Sequence, residues 1–326
     1  MTKRSILSSE HRALLKLLVK DWRYIRFPTL NFMPLGVPEL PAFVCQSDTH
    51  LDDDFLRRVQ LCFQRSSQME VFGENASIWK TLQGKNTAFI EALLSDDPGA
   101  LRPHASNLYA GATMYGMAHT QEFIVGNTTI YPKKYFSMRV RDSLLSLGTA
   151  LGAINIVSNQ QTPLNRYVEH LNQDLALLIK EIESKLGFEL TTPRVGSPPV
   201  VKIGENVYNP DTIRHAYIPH RLKQIVDLET ASILEIGGGY GCVARFGVLA
   251  GCKDWTIIDL PYVNAIQMLW LGSTLGPDMV SGHGEAPAPI KLVPSKQKDA
   301  IKAQTFTLAL NMDSLPEIPF DEAQAS

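Results

Sequence analysis

Residues 232–245 read SILEIGGGYGCVAR, and the fold turns on how this stretch is read. Ile233, Leu234 and Ile236 form a short apolar run of the kind that makes a buried strand. Glycines follow at 237, 238, 239 and 241, and Cys242 begins a segment with helical spacing to about residue 250. A strand that runs through glycines into a helix bends sharply, exposes its backbone, and aims unpaired N–H groups of the first helical turn at whatever sits there. The spacing is Glu235-x-Gly237-x-Gly239-x-Gly241. A dinucleotide fingerprint G-x-G-x-x-G counted from Gly237 would need glycine where Cys242 stands, so the pattern leans away from a nicotinamide cofactor.

Downstream, apolar runs alternate with helical segments. Residues 255–258 end at Asp259, Pro261 opens a helix to about residue 275, and residues 306–310 end at Asn311. Residues 290–293 supply one more strand, with 279–281 competing for that role. Such alternation predicts right-handed βαβ units and a parallel sheet. Asp259, at the end of the strand after the glycine turn, is placed to accept both hydroxyls of a ribose. Glu235 then discriminates between cofactors. A carboxylate is unhelpful to a diphosphate but suits S-adenosylmethionine, whose sulfonium and ammonium are cationic. Alternatively, Glu235 orders the glycine loop through backbone N–H groups; the two roles are compatible.

Upstream, the first 190 or so residues read as helical, over 9–23, 51–65, 77–94, 133–150 and 163–186. In the last, Leu164, Val168, Leu171, Leu175, Leu178, Ile182 and Leu186 make one apolar stripe, with Thr162 as cap, Pro163 at the first turn and Gly187 at the end. The loop TTPRVGSPPV breaks the pattern and sets a domain boundary near residue 192. The expected organisation is therefore a mainly helical N-terminal domain, 1–192, followed by a Rossmann-like α/β domain, 193–326. A hairpin is expected over VVKIGENVYN, then helix from Asn209-Pro210-Asp211 to about residue 228, kinked or restarted at Pro219.

Composition excludes several classes. With 31 basic and 33 acidic residues and no dense basic stripe, nucleic acid is not an expected partner. Residues 143–160, within an uncharged run, contain Ser, Gly, Thr and Asn and fall short of a bilayer span, and the N-terminus lacks a cleavage site, so neither membrane insertion nor export is expected. Cys45, Cys62, Cys242 and Cys252 have no C-x-x-C spacing and read as reduced thiols of a cytoplasmic protein. No His, Cys or carboxylate spacing suggests a metal.

Three blocks in order, ILEIGGGYG, WTIIDLPYV and LALNMDSLPEI, resemble the sugar O-methyltransferase family, a branch of the class I S-adenosylmethionine-dependent methyltransferases. The resemblance covers residues 217–318 and is weaker before them. It implies that Glu235, Gly237, Gly239 and Gly241 line the methionine and ribose side of the cofactor, that Asp259 clamps the ribose, and that Asn311 lies at the mouth of the fourth strand. It also implies a sugar or glycoside hydroxyl as methyl acceptor. The family's sheet has seven strands, whereas sixteen residues follow Leu310, against about 80 that three more strands with helices would take. The sheet is accordingly expected to be incomplete. That leaves a non-catalytic, nucleoside-binding remnant as the alternative to an active enzyme, with an NAD-dependent oxidoreductase a further rival.

Methyl transfer to a hydroxyl needs a base. In NMDSLPEI, Glu317 is the favoured base or acceptor anchor, with Asp313 behind it; as the alternative, Glu317 caps the next helix. In RHAYIPHR, His215 and His220 precede the first strand, and His220 is the second candidate base. His283 lies in a Gly- and Pro-rich loop that either is a plain solvent loop, the favoured reading, or covers an adenine. Tyr109 and Tyr115, in SNLYAGATMYGMAHT, serve either helix packing or a sugar platform. The helical region supplies acceptor contacts or a homodimer interface.

Overall fold

The computed structural model describes residues 38–48, 51–67, 78–125, 130–155, 163–301, 305–312 and 314. These fall into two compact units. One takes 38–44, Glu122–Thr192 and Pro199–Ile213; the other takes Cys45–Gln121, Pro193–Pro198 and the chain from Arg214 on. The chain does cross between units at the expected boundary, Thr192 to Pro193, but it also crosses at four other places. Residues 45–121, expected with the helical domain, group with the parallel sheet.

In the first unit, β1 (Ala42–Val44), β2 (Pro199–Ile203) and β3 (Asn206–Tyr208) form an antiparallel sheet in that order. The β2–β3 pair is the expected hairpin, turned at Gly204. The helix expected over 163–186 is two helices, Leu164–Leu171 and Leu175–Leu186. The apolar stripe continues through the break, but Asp174 accepts hydrogen bonds from Ala176 N and Leu177 N and starts a new helix. Gly187, left-handed at φ 80°, ends it as expected. Thr162 lies outside the described residues, as do 9–23.

The second unit is built on a five-stranded sheet, all of whose neighbours are parallel: β4 (Ser232–Ile236), β5 (Asp254–Asp259), β6 (Val280–Ser281), β7 (Ile290–Pro294) and β8 (Leu308–Asn311), in the order β6-β7-β5-β4-β8. Both segments that competed for one strand, 279–281 and 290–293, are strands, and they pair with each other. The chain leaves β4 in one direction through β5 and β7, then returns to place β8 on the other side of β4. The strand order therefore reverses between β4 and β8, beside the glycine turn.

Pairing register puts Ile233, Glu235, Trp255, Ile257, Ile290 and Leu292 on one face, all buried. Two helices cover that face: α1 (Cys242–Leu249), where Gly247 has no room for a Cβ because the Trp255 ring lies against it, and α2 (Pro261–Leu275). The α2 helix is buried from Pro261 through Gly272 because a further helix, Asp53–Ser67, packs on its outer side; the Phe55 ring lies directly on Gly272. That contact is why residues 53–67 belong with the sheet. Arg58 of the same helix grips the far end of the sheet, with a bidentate pair to Glu285 (2.6 and 2.8 Å) and bonds to the carbonyls of Pro277 and Val280. The opposite face is less covered: Leu234, Ile236, Ile258 and Val293 are half-buried and Ala309 is exposed.

Candidate functional site

The turn after β4 gathers three kinds of residue: glycines, two carboxylates and a set of amides. Gly237, Gly239 and Gly241 all have positive φ, at 69°, 55° and 90°. Most of the glycines are required by packing. A Cβ at 237 would enter the Ser314 side chain, one at 238 would meet Ile257 at 2.8 Å, and one at 241 would meet Leu271 at 2.8 Å. Gly239 differs: its nearest neighbour would be Met117 at 3.8 Å. Gly237, Gly238 and Gly239 are all half-buried, and of the four glycines Gly239 is the one where an added Cβ would meet no close neighbour. Tyr240 anchors the turn from below, buried against Trp270 (centroids 4.8 Å), Tyr109 (6.1 Å) and His215 (6.1 Å).

Ser314 and Asn311 hold the turn from the β8 side. Both side chains donate to the Ile236 carbonyl, at 2.8 and 2.7 Å, and they bond each other. The expected position of Asn311 at the mouth of β8 is thus realised, as a clamp on the end of β4. It joins the first and third sequence blocks at the point where the strand order reverses.

Glu235 is 1% exposed. Its Oε2 accepts from Trp255 Nε1 at 2.8 Å, while Oε1 is buried and has no hydrogen-bond partner. No described loop N–H bonds it, so it neither orders the loop through backbone amides nor projects into open space. The carboxylate instead lies directly beneath the turn, 3.2–3.3 Å from where a Cβ on Gly238 would be. Burial pushes its pKa up to about 7; the Trp255 bond opposes the rise and the neighbouring Asp259 adds to it. The sequence could not reveal this partner, which stands twenty positions away and is brought alongside by the β4–β5 register.

Asp259, half-buried at the end of β5, accepts from Leu260 N at Oδ1 (2.8 Å) and from Gln267 Nε2 at Oδ2 (2.9 Å). Its pKa is also raised to about 7, by burial first, against the opposing hydrogen bonds from Leu260, Gln267 and the amides of Gly238 and Gly239. Gln267, fully buried on α2, bonds the Gly239 carbonyl with the same nitrogen at 2.8 Å. Its Oε1 accepts from Asn264 Nδ2, also at 2.8 Å. A carboxylate and a carbonyl both demand a donor, so Gln267 must present its NH₂ to them and its oxygen to Asn264. Sequence reasoning missed both amides. Their signal was available: two amides three residues apart in the otherwise apolar PYVNAIQMLWLG.

The remaining candidates separate. His220 is half-buried and contacts residues of its own helical stretch, Gln224 (3.1 Å) and Tyr217 (centroids 6.1 Å), whereas His215 reaches the glycine turn through Tyr240. Glu317 and Asp313 lie outside the described residues. Tyr109 is a buried packing residue and Tyr115 is exposed, with Lys85 over its ring. His283 lies in the wall of a crevice beside Pro261 and Pro294 and contacts Gln297 at 3.1 Å. The four cysteines are buried and form no disulfide among the described residues, and no group of three His, Cys or acidic side chains among the described residues could hold a metal. No described helix is long and apolar enough to cross a membrane.

The chain matches no protein-family model, no curated protein and no solved structure.

Proposed function

We propose that the chain is a cytoplasmic S-adenosylmethionine-dependent O-methyltransferase acting on a hydroxyl of a sugar or glycoside. The observation that carries the reading is the pairing of two carboxylates with an accessible glycine backbone at the strand-order reversal of a parallel sheet. Open α/β sheets bind ligands at such a place. The residues fit the cofactor: Gly239 leaves a cradle that a Cβ would fill, Asp259 offers acceptors for ribose hydroxyls, and Glu235 supplies a buried carboxyl below the turn that carries negative charge once it ionises, at about pH 7 and above. Glu235 acts through its field and not by contact. In a low-dielectric setting that field favours a cation above the turn and disfavours a diphosphate.

The bound cofactor would supply an electrophilic methyl group on sulfur, which leaves as the attacking hydroxyl oxygen forms its new bond and the electron pair returns to sulfur. The protein's task is to align the hydroxyl and take its proton. His220 and Glu317 stand as candidate bases from the sequence. His215 joins them because its ring contacts Tyr240 of the glycine turn. The geometry of the turn does not depend on which of them serves.

Calorimetric titration with S-adenosylhomocysteine, and separately with NADH, tests the reading. Saturable binding of the thioether nucleoside and none of NADH is expected. The reverse pattern would replace the proposal with a nicotinamide-dependent one.

A further inference from the structure

Residues 109–121 form a closed loop beside the glycine turn, and both belong to the second unit. The Tyr109 carbonyl accepts from Gln121 N at 3.0 Å, which joins the two ends as in an Ω-loop. The joined ends are fixed in turn to residues 196–197: Tyr109 N donates to the Gly196 carbonyl at 3.0 Å, and Gln121 Nε2 donates to the Ser197 carbonyl at 2.9 Å. Within the loop Met114 is fully buried, and the Ala112 carbonyl accepts from Nδ2 of the buried Asn86 at 3.3 Å. The Tyr109 ring packs edge-on against Tyr240 of the glycine turn. Anchors at its base and from within thus hold the loop in one place.

Met117, half-buried, is the loop residue that faces Gly239. A Cβ on Gly239 would stand 3.8 Å from Met117 Cβ and 3.9 Å from its Cγ, and chain neighbours apart it would have no other atom within 4 Å. Carbon atoms in contact stand about 3.5–4.0 Å apart, so a single added carbon already reaches the Met117 side chain. A ligand group over Gly239 therefore has Met117 as its next neighbour. The facing atoms are the stem of that side chain. Methionine is pliant at its outer bonds, but bending there leaves Cβ and Cγ where they are, and the anchored loop keeps the stem from withdrawing.

We propose that Met117 is a specificity-determining residue of this site: it limits the group carried on the donor's sulfur to the size of a methyl. This rests on the S-adenosylmethionine reading above, with the sulfur end over Gly239, and adds to it the dimensions of what can be transferred. A longer substituent on sulfur would have to push into the Met117 stem or displace a loop held at its base and from within, and overfilling a packed contact is costly. Met117 lies far upstream of residues 217–318, which carry the family resemblance, so the limit belongs to this chain's own loop.

Calorimetric titration of the full chain compares S-adenosylmethionine with its S-allyl analogue, in which an allyl group replaces the methyl on sulfur. S-adenosylhomocysteine, which lacks that third group, is the reference. Wild type is expected to prefer the methyl donor over the allyl analogue by about tenfold or more. Met117→Ala removes Cγ and everything beyond it and should bring that ratio near one, whereas a merely structural role would weaken both donors alike and leave the ratio unchanged. Met117→Phe builds the wall outward and should lower affinity for S-adenosylmethionine relative to S-adenosylhomocysteine by about fivefold or more, which keeps the proposal falsifiable should the alanine variant not fold. Equal affinity of wild type for the methyl and allyl donors, or an unchanged ratio in either variant, would overturn the size limit; binding of S-adenosylhomocysteine in the same experiment would leave the cofactor reading standing. Binding of none of the three ligands to wild type would overturn both.

Discussion

Glu235→Gln separates the cost of the buried acid from its use. The substitution keeps shape and an oxygen for Trp255 Nε1 but removes the ionisable group. The Glu235 carboxyl is raised from 4.5 to about 7 by burial beneath the glycine turn, which corresponds to about 3 kcal/mol. The sign follows from proton binding. Below pH 4.5 both folded and unfolded chains hold the proton. Between 4.5 and about 7 the unfolded chain has released it while the folded chain retains it, so folding stability falls as pH rises through that window. Above pH 7 both are ionised and the full penalty is present. The glutamine variant does not titrate there. It should be more stable than wild type at pH 8 by up to about 3 kcal/mol, and close to wild type at pH 5. Urea unfolding followed by tryptophan fluorescence at the two pH values measures the difference. An equal effect at both, or a variant less stable at pH 8, would refute the claim that an ionised, desolvated Glu235 burdens the fold.

Further outcomes follow from the same geometry. Affinity for S-adenosylmethionine relative to S-adenosylhomocysteine should rise from pH 6 to pH 8, as Glu235 and Asp259 ionise and only the first ligand carries a sulfonium; a ratio that is flat across this range would remove the electrostatic role. Gly237→Ala should lower stability by about 1–3 kcal/mol, because the new methyl group enters the Ser314 side chain. Gly239→Ala has space for its Cβ and should cost about 1 kcal/mol, from the left-handed backbone alone, yet it should weaken cofactor binding more than its stability loss explains. Thermal unfolding and ligand titration on the same samples check both.

Much of the parallel sheet was legible because the sequence marks it with changes of period and with glycine and proline. β4, β5, α1 and α2 fall within a residue or two of where the apolar runs and Pro261 put them. The break at Asp174 was obscured because an apolar stripe at helical spacing runs through it, and periodicity alone does not register a cap. The grouping of residues 53–67 with α2 depends on Phe55 meeting Gly272, a contact between segments more than two hundred positions apart. At the site, Gly237, Gly239, Gly241 and Asp259 could be picked out from spacing, whereas Asn311 came only with the family resemblance. The true surroundings of Glu235 could not, since strand register decides that Trp255 stands beside it. Asn264 and Gln267 were visible as polar residues on an apolar helix, but their meaning depends on the carboxylate and carbonyl that Gln267 faces.

In the proposed function the turn after β4 receives a nucleoside whose ribose is held by Asp259 and whose sulfur end lies over Gly239. A crystal soaked with S-adenosylhomocysteine measures this directly. Density with both ribose hydroxyls on the Asp259 carboxylate and the thioether above Gly239 is the expected result. Density that settles elsewhere, or a soaked crystal in which Asp259 keeps only its bonds from Leu260 N and Gln267, would contradict it.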